Sequence, residues 1–436
     1  MRCGQRCGRP RPTGRLVGPA ARAARLIHRP STCPTWPLRC TDDGVVHGST
    51  GPTTTDLPEE QIPIQGVCTV KFRCDRDALS EALQTVQRGV SSRPGIPALT
   101  GVLLDGAPEG RLTMTTTDLE VSARLTIDVQ VSEPGIALIP ARLLADTVKS
   151  LSDAPVDVET DQSQARIRCA AYEGSLRLLP AEDFPGLQEP GGTRVEAEAG
   201  AFAEAVSQVA RAASRDEARP VLTGVLVEVS REGCVLVATD SYRLAVRDLV
   251  ASADGEAKAI VPERAFSEAG RAASGDEKGK VEILVDDAQV SFRAGGLTLT
   301  SRLIEGEFPN YRQLLPDTHE SRLTVSRQQL LDAVRRVGLL ARDTTPVRLE
   351  FNALGVKLSS SSPDLGQAVE TVEARYEGDD LTVAFNPQYM IDGLTAAVGE
   401  SVRLDVRDGL KPGVVHGESD GFTYLVMPVR LPAAVV

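Results

Sequence analysis

Three times along the chain, apolar residues fall on one face of a helical turn and then change to the every-second-residue spacing of a strand. Leu79, Ala82, Leu83 and Val86 recur at helical intervals behind Asp75, a side chain suited to capping a helix N-terminus, and Arg88, Gly89 and Pro94 close the run. Phe202, Val206, Val209 and Ala210 draw the same stripe, with Arg211 and Arg215 in its last turns. Leu330, Leu331, Val334 and Val337 draw it again behind Ser326-Arg327-Gln328-Gln329, which reads as a capping box. Each run predicts a helix with one face packed and the other in water.

Strand-like runs follow each helix. Leu99-Thr100-Gly101-Val102-Leu103-Leu104 is matched 123 residues later by Leu222-Thr223-Gly224-Val225-Leu226-Val227, and Val347-Arg348-Leu349-Glu350-Phe351 stands in the third place. Turn signals come next at Pro108-Glu109-Gly110, Arg231-Glu232-Gly233 and Asn352-Ala353-Leu354-Gly355. A Thr-Asp step then joins two apolar runs, as Thr117-Asp118-Leu119-Glu120 and Thr239-Asp240-Ser241-Tyr242-Arg243, with Pro363-Asp364 as a fainter third. Prolines introduce a second helix at Pro140, Pro262 and Pro387, spaced by 122 and 125 residues. Phe184-Pro185 and Phe308-Pro309 end the first two copies, and Val402-Arg403-Leu404-Asp405-Val406 alternates clearly in the third. A period this long marks repeated domains rather than a solenoid of short units. The expected domains are 70–190, 191–317 and 318–436, with linkers at 188–193 and 316–320. Two helices and several antiparallel strands per copy make an α+β arrangement.

Composition changes this picture at one end. Residues 1–69 hold nine Arg, no Lys, the sole Trp (Trp36) and five of the eight cysteines (Cys3, Cys7, Cys33, Cys40, Cys68), without helical or strand periodicity. They read as a disordered or mis-assigned N-terminal extension, ahead of a leader around Arg22 and Arg25 or a metal site that would add His28; the cysteine spacings match no zinc pattern. Nine Arg against five acids gives the extension +4, so the chain total of −12 leaves the remainder at −16. Such a balance argues against a simple polybasic binder of DNA or membrane, but leaves room for a basic lining inside an acidic shell. No apolar run reaches 18 residues, so none is long enough to span a bilayer as a helix. Cys74, Cys169 and Cys234 are isolated and read as reduced, buried thiols.

The order of helix, Leu-Thr-Gly strand, Thr-Asp turn, proline-started helix and Phe-Pro exit, ending in Leu425-Val426-Met427-Pro428-Val429-Arg430-Leu431, resembles the bacterial DNA polymerase III beta subunit, the sliding clamp, across 70–431. Members usually open Met-Lys-Phe; here Val70-Lys71-Phe72 stands in that place, so Val70 is the expected initiator. The resemblance implies three tandem copies of the DNA-clamp fold, dimerising head to tail into a six-domain ring around duplex DNA. A size estimate agrees: a 120-residue globule is roughly 17 Å in radius, three in a ring leave a hole of about 3 Å radius, and six leave about 17 Å. Only the second passes a duplex of about 10 Å radius.

Further implications are residue by residue. The helices would line the hole and present Arg93, Arg142, Lys149, Arg215, Arg264, Arg271 and Arg336 to phosphates, without reading bases. A peptide groove would be lined by Leu222, Thr239, Tyr242, Arg243, Leu244, Pro309, Leu314, Leu425, Met427, Pro428, Val429 and Arg430. The first copy has Leu119-Glu120 where the second has Tyr242-Arg243, an asymmetry that favours a groove over plain core. The dimer contact would set Leu176 against Leu339 and Leu340, with Asp364 and Glu370 nearby; Ala171, Glu173 and Gly174 depart from the ion-pair pattern of some members. The implied partners are duplex DNA, a second copy, the DNA polymerase III alpha subunit, the clamp loader, and other polymerases and repair proteins, in the cytoplasm at the nucleoid. No catalytic residue, cofactor or metal is implied. A second clamp copy serving repair or inhibitor tolerance is the alternative within the family. Outside it stands a serine hydrolase on Gly417-Glu418-Ser419-Asp420-Gly421 beside His416, but an elbow needs a helix after the serine and Phe422-Thr423-Tyr424-Leu425-Val426 reads as a strand.

Overall fold

The computed structural model describes residues 69–436 apart from 91–94, 189–190, 277, 317, 342–344, 363, 419–420 and 432–436. The readings of the extension and its cysteines, of Arg93, and of Ser419-Asp420 fall outside the described residues.

Among the described residues six α-helices form, three where the apolar stripes predict them, α1 Arg76–Val86, α3 Ala199–Val209 and α5 Arg327–Gly338, and three where prolines introduce them, α2 Ala141–Ser150, α4 Glu263–Ser274 and α6 Pro387–Ala396. They pair as α1 with α2, α3 with α4 and α5 with α6, each pair covering strands of its own copy. Asp75 caps α1, its Oδ1 accepting from the amides of Asp77 and Ala78 at 2.9 and 3.2 Å. Gly270 lets α4 approach α3, because a Cβ there would lie 2.6 Å from Val206 Cγ1.

Two local expectations are corrected, and the proline-started helices form as expected. Ser326 does not cap α5 with its side chain; it is the last residue of the strand Ser321–Ser326 and pairs with Ser401. Leu99-Thr100 and Leu222 lie in 3-10 turns, Pro97–Thr100 and Pro220–Leu222, so the strands start later, at Gly101–Ala107 and Gly224–Ser230. A proline ahead of each run sets the turn before the ladder can form. Pro140 and Pro262 precede their helices as caps, whereas Pro387 is inside the first turn behind Asn386, whose Oδ1 accepts from Gln388 and Tyr389.

The Thr-Asp turns are structural, as the repetition suggests. Asp118 Oδ1 accepts from the amides of Glu120 and Val121, and Asp240 Oδ1 from those of Tyr242 and Arg243. Leu119 and Ser241 occupy the same left-handed conformation, at φ of 76° and 80°.

The sheets carry the larger organisation. Leu297–Arg302 of the second copy runs antiparallel beside Val121–Asp128 of the first, making one nine-stranded sheet. Phe422–Val426 of the third copy runs antiparallel beside Arg243–Leu249 of the second, making another. At the two ends, the corresponding strands are terminal: Tyr172–Arg177 closes a five-stranded sheet, and Gly366–Val372 a four-stranded one. Cores under the helices hold Leu79, Leu83 and Leu144 in the first copy and Phe202, Phe266, Leu330 and Met390 in the others.

Candidate partner groove, junctions and DNA-facing helices

On the sheet face opposite the helices, a cavity of about 740 Å³ lies where the second copy meets the third. Strand register lines up Leu244 with Leu425 and Leu425 with Val414, and alternation turns their neighbours Val426 and Val415 to the helix side. The three form a small separate core with Phe308 and Tyr311. Their side chains are almost covered, so they form the floor of the groove, while Leu314 and Met427 stand exposed at its edges.

Thr239, Arg243, Leu244, Leu314, Leu425 and Met427 of the expected set are thus brought together. Leu222, Tyr242, Pro309, Pro428, Val429 and Arg430 are not among the residues that line this cavity. Leu222 is buried in its 3-10 turn, Tyr242 stacks on Tyr389 with ring centres 6.4 Å apart, and Val429 donates to the Ala384 carbonyl and lines another cavity beside Pro387. Sequence reasoning missed the far wall, Pro412, Val414, His416, Arg403 and Asp405. The alternation around Asp405 signalled one shared face for Arg403 and Asp405, but not what that face adjoins.

One wall is anchored by Glu228. Its carboxylate accepts from Tyr311 at 2.9 Å and Arg312 at 2.7 Å and pairs with Lys258 at 3.1 Å, fixing the turn Tyr311–Leu314. Burial pushes its pKa up, but these partners outweigh burial and hold it below the usual value. His416 on the opposite wall is held below the usual imidazole value, chiefly by burial and then by Arg403.

The copies are tied by ion pairs at matching places. Arg264 Nη1 lies 2.7 Å from Asp118, its Nη2 donates to the Arg88 carbonyl at 3.0 Å, and Arg88 pairs with Glu268 at 3.3 Å. At the other junction Arg243, nearly buried, bridges Asp240 at 3.0 Å and Asp392, and lies 4.7 Å over the Tyr389 ring. Arg243 is therefore a tie between copies more than a groove edge.

Among the basic residues expected to face DNA, Arg142 and Lys149 are exposed on α2, and Arg215 is exposed beyond α3; none has an ion pair among the described residues. Arg215 and Arg271 share a cleft of about 410 Å³ between α3 and α4 with Arg211. Arg271 is paired with Glu268, Arg264 is engaged at the junction, and Arg336 makes a two-bond pair with Glu370 at 3.0 and 2.6 Å. The Arg336 bond lowers the Glu370 pKa.

At the free ends, Leu176 lies in the terminal strand half-buried against its own core, Leu339 is 79% exposed just after α5, Leu340 is half-buried, and Asp364 is exposed. Tyr172, Val369 and Leu143 are also exposed there. The helix turn before Leu143 matches that before Tyr389, which stacks on Tyr242 at the second junction, so the repeat itself marks Leu143 as a junction position.

The hydrolase arrangement is contradicted: Gly413–His416 and Phe422–Val426 pair antiparallel, His416 opposite Thr423, so a hairpin strand follows the serine and no helix does. Among the described residues, no group of His, Cys, Asp and Glu is arranged to hold a metal, and no helix is long and apolar enough to cross a membrane.

Three like domains, fused through shared sheets and ending, among the described residues, in two terminal strands, define a chain of the sliding-clamp class. Models of the DNA polymerase III beta subunit match throughout: the N-terminal domain at 70–188, the central domain at 196–310 and the C-terminal domain at 312–430. The beta sliding clamp of Streptomyces coelicolor is 36% identical over 375 residues, covering 83% of this chain and all of that protein, and the beta sliding clamp homolog GriR of Streptomyces muensis is 33% identical over 83% of this chain and 99% of its own. A Pseudomonas aeruginosa sliding clamp bound to griselimycin superposes with a TM-score of 0.79 at 31% identity, over 83% of this chain and all of that one. The chain belongs to the DNA polymerase III beta subunit family, the bacterial DNA sliding clamps.

Proposed function

We propose that two copies of this chain close head to tail into a ring that slides on duplex DNA and holds polymerases and repair proteins through the groove between its second and third domains. The observation that carries this is the pair of unpaired terminal strands. Within the chain, the strand of one domain twice completes the sheet of the next, at Leu297–Arg302 beside Val121–Asp128 and at Phe422–Val426 beside Arg243–Leu249. Tyr172–Arg177 and Gly366–Val372 are the strands in those places that lack a mate among the described residues, and a second copy supplies both at once. Leu176, Leu339, Leu340, Asp364 and Glu370 then lie at or beside the contact.

Arg142, Lys149, Arg215 and Arg271 support sequence-blind contact with phosphates; the −12 chain carries these cations on or beside its helices. Arg264 and Arg336 have the additional task of holding domains and edge strand. The domain limits 70–190, 191–317 and 318–436, initiation at Val70, and a place at the nucleoid belong to the same proposal. The protein acts as a processivity factor without chemistry of its own, with an external ATPase to open it and the replicative polymerase as groove partner. Primer extension on a long single-stranded circle tests this. With a clamp loader and replicative polymerase, the chain lengthens products from hundreds of nucleotides to thousands; unchanged product lengths contradict the proposal.

A further inference from the structure

The groove does not end at its apolar floor. The register that aligns Leu244, Leu425 and Val414 continues from Val414 to Asp405 and from Asp405 to Arg322. Two residues along, Thr423, His416 and Arg403 align on the same face. The face therefore changes from apolar to ionic two strands beyond Leu425, roughly 10 Å at about 4.8 Å per strand.

That ionic region is short of accessible negative charge. Asp405 is the one carboxylate lining the cavity; it is nearly buried, and its two oxygens are engaged by Arg322 at 2.9 Å and Arg403 at 3.0 Å. Arg407 and Lys411 line the same cavity and are exposed. Arg407 pairs with the exposed Glu320 at 3.2 Å, and among the described residues it has no other ion pair and Lys411 has none. In a chain of net charge −12, this end of the groove is a local cationic site.

We propose that the groove selects a short extended peptide whose apolar anchors cover Leu244, Leu425 and Val414 and which carries an Asp or Glu about three or four residues away, received by Arg407 and Lys411. The spacing follows from roughly 10 Å divided by about 3.3 Å per extended residue. The proposal rests on the groove being a docking site for partner peptides. Because the receiving cations are solvent-exposed, the contact tunes affinity modestly and weakens with salt.

Fluorescence anisotropy on the full chain tests it, with labelled peptides of about twelve residues built on a central Leu-Leu-Phe and carrying Asp-Asp or Asn-Asn three residues away on both sides. At low salt the Asp peptide binds about three- to tenfold tighter than the Asn peptide. In the double variant Arg407→Gln/Lys411→Gln that advantage disappears while the Asn peptide binds as before. Equal binding of the two peptides to the unaltered chain, or an advantage that survives the double variant, overturns the proposal. Binding of neither peptide overturns the docking reading beneath it. A short oligothymidylate that displaces the Asp peptide and loses affinity in the double variant would assign the cationic end to nucleic acid instead.

Discussion

Arg243→Ala should loosen the second and third domains from each other. The guanidinium is 11% exposed and stands between Asp240 and Asp392, 12% and 13% exposed, with the Tyr389 ring 4.7 Å away. Removing it leaves two carboxylates facing each other in a site with little water. Breaking one partner out of a buried pair costs about 3–5 kcal/mol, and the remaining exposure here lowers that to about 2–3 kcal/mol. With a urea dependence of about 3 kcal/mol/M for a unit of two such domains, the transition moves down by about 1 M. Urea unfolding followed by far-UV circular dichroism reads this directly. Adding Asp392→Ala should restore part of the loss, because the second charge no longer lacks a partner. A midpoint shift below about 0.2 M for Arg243→Ala would refute the reasoning.

Ser175→Pro should separate the protomers without unfolding them. Leu178 donates its amide to Ser163, so the alternate amides of Glu173, Ser175 and Arg177 point away from the sheet, and sedimentation should show dimer affinity falling more than tenfold. Glu228→Gln should weaken peptide binding in the groove and flatten the acid limb of stability. A carboxylate held below its ordinary value of 4.5 contributes stability that is present above that value and lost as pH falls through the lower, folded one, so in thermal melts the gap between wild type and variant should close as the pH is taken well below 4.5. Native Cys234 should resist thiol reagents at pH 8 until the chain unfolds, since it is 2% exposed and burial pushes its pKa up to about 12.

Much of this architecture is legible in the sequence because the signals are local or repeated. The stripe behind Asp75 specifies α1, and the recurrence of Thr-Asp at 118 and 240 identifies a turn used twice. What resisted reading depends on how distant segments register. Val414, Arg403 and Asp405 join the groove only because the strand Phe422–Val426 crosses into the second domain's sheet. Arg264 and Arg336 look like free helix cations in sequence, yet Asp118 and Glu370 reach them from 146 and 34 residues away. Ser326 fits a capping pattern but is held by the ladder, which satisfies its backbone first. Arg243 stood out as the place where the second copy departs from the first; its main partners turn out to be Asp240 and Asp392.

Encirclement is tested most directly by loading the labelled chain onto nicked circular DNA with a clamp loader and ATP, then cutting the circle once and separating bound from free protein by gel filtration. The account predicts that the chain stays with the circle and is lost from the linear molecule. Equal retention on both, or equal loss from both, would contradict it.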